Sequence, residues 1–239
     1  MARIRFLKVV GSWRDVADAA RTTIRREEGT GEPSARWKKR ILLAEHSPIR
    51  KLCFNWKWED LPSWVSVHFV RHKFGIEHFV STQRSDRTGQ DRAAARQDAP
   101  VMHECFANAQ ALISISRRRL CGQASPETRA AWRLVVDEVA KHEPEVASCC
   151  VPECVYRGFC PEFKPCGFCD TPAFKAAVAK YREVPPPAAK APAQKGQALL
   201  EYVLVLAAML VVVTVLGFFV TGAVRFGVRT QTLVSYECP

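Results

Sequence analysis

Residues 202–224 contain no charged side chain and are apolar almost throughout. At ~1.5 Å rise per residue, a helix over this stretch spans a hydrocarbon core of about 30 Å. A core helix this uniformly apolar needs a large protein around it, and few residues follow. The segment therefore reads as a membrane-spanning helix set apart from the rest of the chain. A Pro/Ala run at 185–194 (PPPAAKAPAQ) precedes it and reads as an extended linker. This divides the chain into a folded domain over 1–170, a short helix and linker over 171–195, a hydrophobic helix over 196–226 and a tail over 227–239.

The first 170 residues mix two periodicities. Residues 4–10 alternate and predict a strand, as do 51–58, where Leu52, Phe54, Trp56 and Trp58 fall on one face. Helical spacing predicts helices over 15–25, 35–44, 62–74, 98–120 and 126–142. Strands interspersed with helices indicate an α+β domain built on a mixed sheet, followed by the C-terminal hydrophobic helix.

The net charge of +11 calls for an anionic partner. Arginine dominates the basic set before the hydrophobic block, and its planar fork grips phosphates at two points. No helix-turn-helix, zinc-finger or RNA-recognition motif is present, so a nucleotide fits better than a nucleic acid. Residues 1–18 do not form a secretory signal, which places this domain in the cytoplasm with reduced thiols. Of the ten cysteines, six fall within 149–169 among prolines and glycines. Cys150, Cys154, Cys160 and Cys166 are the four thiolates best placed to converge on zinc or an iron–sulfur cluster. Cys53, Cys105 and Cys121 lie in apolar patterns and read as small buried hydrophobes.

Residues 68–87 read HFVRHKFGIEHFVSTQRSDR. Arg71, His72 and Lys73 end a helix with three potential cations. Ser81, Gln83, Arg84 and Arg87 follow, all able to donate to phosphate or carbonyl oxygens. Taken alone, the cluster suits either a nucleotide grip or a solvated basic helix end. The stretch resembles the signature of flavin-dependent thymidylate synthases, Arg-His-Arg followed by spaced Ser, Asn and Ser and then Arg-Tyr. Arg71, His72 and Ser81 match it. Lys73 stands for the third basic residue, Ile76 and His78 for the first Ser and the Asn, and Gln83 or Arg84 for the final Arg. Three further segments resemble the same family in order: Ala19-Ala20-Arg21, the stretch 41–52 (ILLAEHSPIRKL), and Asn108, Arg119, Ala124, Glu127 and Arg129 at matching spacing. The resemblance covers roughly residues 1–150.

The resemblance implies an enzyme that methylates dUMP to dTMP. Methylene-tetrahydrofolate gives the carbon, reduced FAD carries the hydride and NADPH reduces the flavin. It implies a catalytic role for Arg119, which would bind dUMP and steady its uracil as charge develops. Ser81 with Gln83 or Arg84 would hold the phosphate. Arg71, His72 and Lys73 would face FAD, with His46 or Ser47 near the flavin. It also implies a homotetramer with sites at subunit interfaces. Two alternatives remain: a related flavoenzyme acting on another pyrimidine nucleotide, and an inactive nucleotide- or metal-binding module tethered to a membrane.

The sequence Lys195-Gly196-Gln197-Ala198-Leu199-Leu200-Glu201, ahead of the apolar run, resembles the processing site of type IV-like, Flp-type prepilins. That resemblance implies cleavage after Gly196, with Glu201 fifth in the mature segment. A plain membrane anchor is the other reading, with Lys190 and Lys195 on the cytoplasmic side and Arg225 and Arg229 beyond the span.

Overall fold

The computed structural model describes residues 2–187 and 197–235. The chain forms two units, split after Pro187, and the first holds the sheet. Strand β1 (Arg3–Val10) leads through the Gly11 turn to helix α1 (Trp13–Thr23). Ser12 caps α1: its hydroxyl accepts from the Asp15 N–H while the Asp15 carboxylate accepts from Ser12, a reciprocal box. Helix α2 (Ala35–Leu43) is capped by Ser34, and a short 3-10 turn (Ser47–Lys51) delivers the chain to strand β2 (Cys53–Pro62). These elements follow the periodicity of the sequence closely.

Two segments depart from expectation. The helix foreseen over 62–74 is shorter: α3 (Ser63–Val70) stops, the chain turns at Gly75 with φ +71°, and strand β3 (Ile76–Val80) begins. A Cβ at Gly75 would lie 2.6 Å from the Asn108 amide nitrogen, so glycine is needed for space as well as for φ. After a single turn, α4 (Ser85–Thr88), the segment foreseen as one helix over 98–120 splits into strand β4 (Pro100–Asn108) and helix α5 (Ala109–Arg119). In β4, Val101, His103, Cys105 and Ala107 point inward at period 2. Asn108 then ends the strand and caps α5 by accepting from the Ala111 N–H.

The remaining elements of this unit are α6 (Pro126–His142), α7 (Pro144–Ala147), α8 (Glu153–Arg157) and α9 (Pro172–Arg182). The sheet is antiparallel throughout, in the order β1-β2-β4-β3. Its inner face packs against α3, α5 and α6. Trp56, Trp58 and Trp132 are fully buried there, with Trp58 stacked on Phe69 at 4.6 Å and edge-on to Trp56 at 5.5 Å. Each such ring pair adds ~0.5–1.5 kcal/mol beyond the area it buries. The pairing Trp58↔His103 and Cys105↔His78 sets two imidazoles beside this aromatic core.

The second unit is helix α10 (Gln197–Ser235). Its segment Tyr202–Arg225 is long and apolar enough to cross a membrane, with a mean hydropathy of 3.0. The Lys195-Gly196 junction, Lys190 and most of the 185–194 linker lie outside the described residues, as do the last four residues of the tail.

Candidate functional site

Three arginines occupy the last turn of α5, where cations complement the carbonyl end of the helix. They point to different places. Arg117 pairs with Glu45 and lies over the Tyr156 ring, and Arg118 pairs with Glu162 at 3.6 Å. Arg119 instead reaches the end of α3, where Nε donates to His72 Nε2 at 2.9 Å and Nη2 to the His68 carbonyl at 2.6 Å. A guanidinium can only donate, so His72 Nε2 carries no proton and the ring is neutral. Burial, then the Arg119 charge, then His78 push the His72 pKa down to about 4. Burial and the neighbouring Arg71 likewise lower the pKa of Arg119. Arg71 is exposed beside it, and Lys73 is exposed next to His72 in the chain. Among the described residues none of Arg71, Lys73 and Arg119 has an ion pair with a carboxylate. Like charges gathered without counter-ions form a site for an anion.

A second line of groups runs inward from His72. The His78 Nε2–H donates to the His72 carbonyl at 2.8 Å, which leaves His78 Nδ1 to accept from His103 Nε2–H at 3.0 Å. His103 Nδ1 then accepts from the Ser66 hydroxyl at 3.0 Å. These tautomers follow from the carbonyl, which only accepts. The chain Ser66–His103–His78–His72 links the aromatic core to the Arg119 site through imidazoles. His78, His103 and Cys105 place three donor atoms within 4.8 Å of one another. Each imidazole nitrogen already has a partner there without an ion.

His103 is fully buried, and burial followed by His78 lowers its pKa from 6.5 to about 4. The unfolded chain therefore takes up a proton at higher pH than the folded one. The contribution of neutral His103 to stability is complete above about pH 6.5 and is lost as pH falls towards 4, by roughly 3 kcal/mol in all. Urea unfolding at pH 7 and pH 4.5 measures it. The His103→Asn variant is expected to lose less stability between these pH values than the parent, and equal losses would overturn the assignment.

Among the described residues, no hydrogen bond or ion pair joins the other residues singled out from sequence to Arg119. His46 and Ser47 line a cavity of about 1110 Å³ with Ser34, Arg36, Trp37 and Arg40, and no residue from 68–87 lines it. The Ser81 hydroxyl accepts from the Met102 N–H at 3.0 Å, and its own proton is left to donate. Gln83 is half-buried, and Arg84 is exposed and paired with Asp86 at 2.7 Å. The structure divides the cysteine set. Cys154, Cys160 and Cys166 line one cavity, but Cys150 does not: it is buried near Cys149 and Ser116. Cys121 and Cys169 line the cavity with the other three. Glu45, Ser66 and His103 were not legible as site residues, because partners such as Ser66 and His103 lie far apart in sequence, and His78 was legible only as a departure from the Asn of the signature.

No protein-family model matches the chain, and no curated protein aligns with it. Solved structures do match its fold. Flavin-dependent thymidylate synthase ThyX from Helicobacter pylori, complexed with FAD and dUMP, superposes with a TM-score of 0.50 at 10% identity. The match covers 63% of this chain and 99% of that one. The UMP/dUMP methylase PolB from Streptomyces cacaoi, bound with 5-Br dUMP, gives 0.51 at 12% identity, over 66% of this chain and 96% of that one. The class defined is therefore a ThyX-like α+β fold: an antiparallel sheet with helices packed on it, followed here by one apolar helix.

Proposed function

We propose that residues 1–170 form a flavin-dependent enzyme that modifies the uracil of dUMP. The observation that carries this reading is the cluster of Arg71, Lys73 and Arg119 around neutral His72, without a carboxylate partner. Such a cluster suits the phosphate of a nucleotide or the pyrophosphate of FAD. The likeness of the fold to a ThyX solved with FAD and dUMP, and to a UMP/dUMP methylase, supports the same ligands. FAD would supply hydride chemistry, and the chain would supply position and charge. Arg119 donates in two directions from a half-buried position, where a uracil oxygen gaining charge would be stabilised. Ser81 and Arg84 or Gln83 follow β3 and would close on the phosphate, with Arg84 exchanging Asp86 for it. Arg71, His72 and Lys73 face the flavin, and His46 and Ser47 serve the large cavity beside α2.

The finer reading is methylation of dUMP to dTMP, with methylene-tetrahydrofolate as carbon donor and NADPH as reductant. The exposed apolar side chains Phe74, Phe79, Met102 and Phe106 support assembly into a homotetramer. The apolar segment Tyr202–Arg225 supports a membrane tether for a cytoplasmic enzyme. Processing after Gly196 rests on the prepilin resemblance alone. UMP or another pyrimidine nucleotide is the second reading, because His78 stands where the synthase signature has Asn.

Adding FAD to the purified chain is expected to give a bound flavin spectrum, and dUMP is expected to perturb it. NADPH and methylene-tetrahydrofolate should then yield dTMP. A perturbation by UMP alone would move the substrate to the second reading. Failure to bind FAD would sink both.

A further inference from the structure

The second cavity of the folded unit is walled by thiols. Cys121 follows α5, Cys154 lies in α8, and Cys160, Cys166 and Cys169 come from the loop before α9; all five line a space of about 270 Å³. The approach of its walls is tight. A Cβ at Gly122 would come within 2.9 Å of Cys166 Sγ, so a side chain there would push the loop off the α5 end. Gly158 and Gly167, with φ of +86° and +80°, turn the loop back over the cavity. Five thiols lining one small cavity form the donor set that a soft, positively charged metal centre needs.

The charges around the cavity fit that need. Glu153 is held by Arg157 at 2.5 Å and Glu162 by Arg118 at 3.6 Å. Arg129 and Arg133 also line the cavity, and neither has a carboxylate partner among the described residues. They are placed to offset the negative charge that several thiolates would carry. The spread of the sulfurs selects the occupant. Four thiolates on one zinc ion, at ~2.3 Å each, stand about 3.8 Å apart. Among the described residues the only trio of His, Cys, Asp or Glu donors within 4.8 Å is His78, His103 and Cys105, so no three cavity sulfurs are that close. Cys169 lies close to both Cys154 and Cys160, yet no three of the five sulfurs close on one point, and sulfurs spread around a space in this way match separate irons of one cluster.

We propose that this cavity binds a cysteine-ligated iron–sulfur cluster, drawing its four ligands from Cys121, Cys154, Cys160, Cys166 and Cys169. The cluster ties the loop before α9 to the end of α5, two residues beyond Arg119. This assignment is independent of the flavin reading, because Arg71, His72 and Arg119 do not line this cavity.

The test reconstitutes the full chain anaerobically with ferrous iron and sulfide, then measures bound iron and acid-labile sulfide together. About four of each per chain are expected for a cubane cluster, with a paramagnetic signal after reduction by dithionite. The Cys166→Ser/Cys169→Ser variant changes only exposed and half-buried positions and leaves three thiols, one fewer than the full ligand set, so iron and sulfide should both fall below half of the parent values. The Cys150→Ala variant should retain both in full. Circular dichroism of each variant verifies the fold, and a misfolded double variant is replaced by Cys160→Ser/Cys166→Ser. Zinc bound without sulfide, no metal at all in the parent chain, or loss of iron from Cys150→Ala would each overturn the proposal.

Discussion

Replacing Arg119 with alanine is expected to lower dUMP-dependent turnover by about 100- to 1000-fold, the usual effect of removing a donor aimed at developing charge. Arg119 joins the end of α5 to the end of α3, through His72 Nε2 and the His68 carbonyl. Its loss leaves both acceptors unpaired in a half-buried place, at a cost of about 1–3 kcal/mol. The two effects separate in measurement. Turnover and the dUMP-induced flavin shift report the site, and urea unfolding reports the fold. Because the Arg119 charge is the second cause of the low His72 pKa, after burial, that pKa should rise in the variant. Arg119→Lys keeps the charge and gives up the planar fork, so it should restore the His72 titration more fully than the turnover. An Arg119→Ala enzyme with unchanged turnover would remove this residue from the reaction.

The largest expected loss of stability comes from Trp58→Ala, at about 3–5 kcal/mol. Trp58 is fully buried, stacks on Phe69, meets Trp56 and His103 edge-on, and donates from Nε1 to the Ala131 carbonyl at 3.1 Å. Truncation opens a cavity where β2, α3 and α6 meet and leaves that carbonyl without its donor. The gap also lies beside His103, so the histidine chain should loosen and its acid sensitivity should move. Trp58→Phe keeps most of the volume and should cost clearly less. Denaturant unfolding of the two variants measures the difference, and a loss below about 1 kcal/mol for alanine would show that this core collapses around the gap.

Much of the fold was legible in the sequence, for identifiable reasons. In β2, Phe54, Trp56 and Trp58 alternate as large apolar residues, and helices α1, α2 and α6 carry apolar faces at helical spacing with Ser caps. Strands β3 and β4 were not legible. The inward residues of β4 include His103, Cys105 and Ala107, which carry little apolar signal, and Ala109 to Ile115 extend a helical pattern back over them. For the site, Arg119 and His72 were legible through the signature they resemble, and the structure sets them 2.9 Å apart. The partners of the histidine chain were not, because His78 and His103 meet only once β3 pairs with β4, and Ser66 joins them only once α3 packs on β4.

The sequence by itself determined the apolar segment Tyr202–Arg225, the basic charge, the α+β mixture and the crowding of cysteines in one short stretch. These are local or additive properties, fixed by composition and period. Only the tertiary structure decided which cysteines share a cavity. Cys150, though close in sequence to Cys154, turns into the core with Cys149, while Cys121 arrives from the end of α5 to line the cavity in its stead. Spacing along a chain limits which side chains can meet. The packing of α5 against α8 settles which of them do, because burying one thiol and opening another are consequences of how two helices meet.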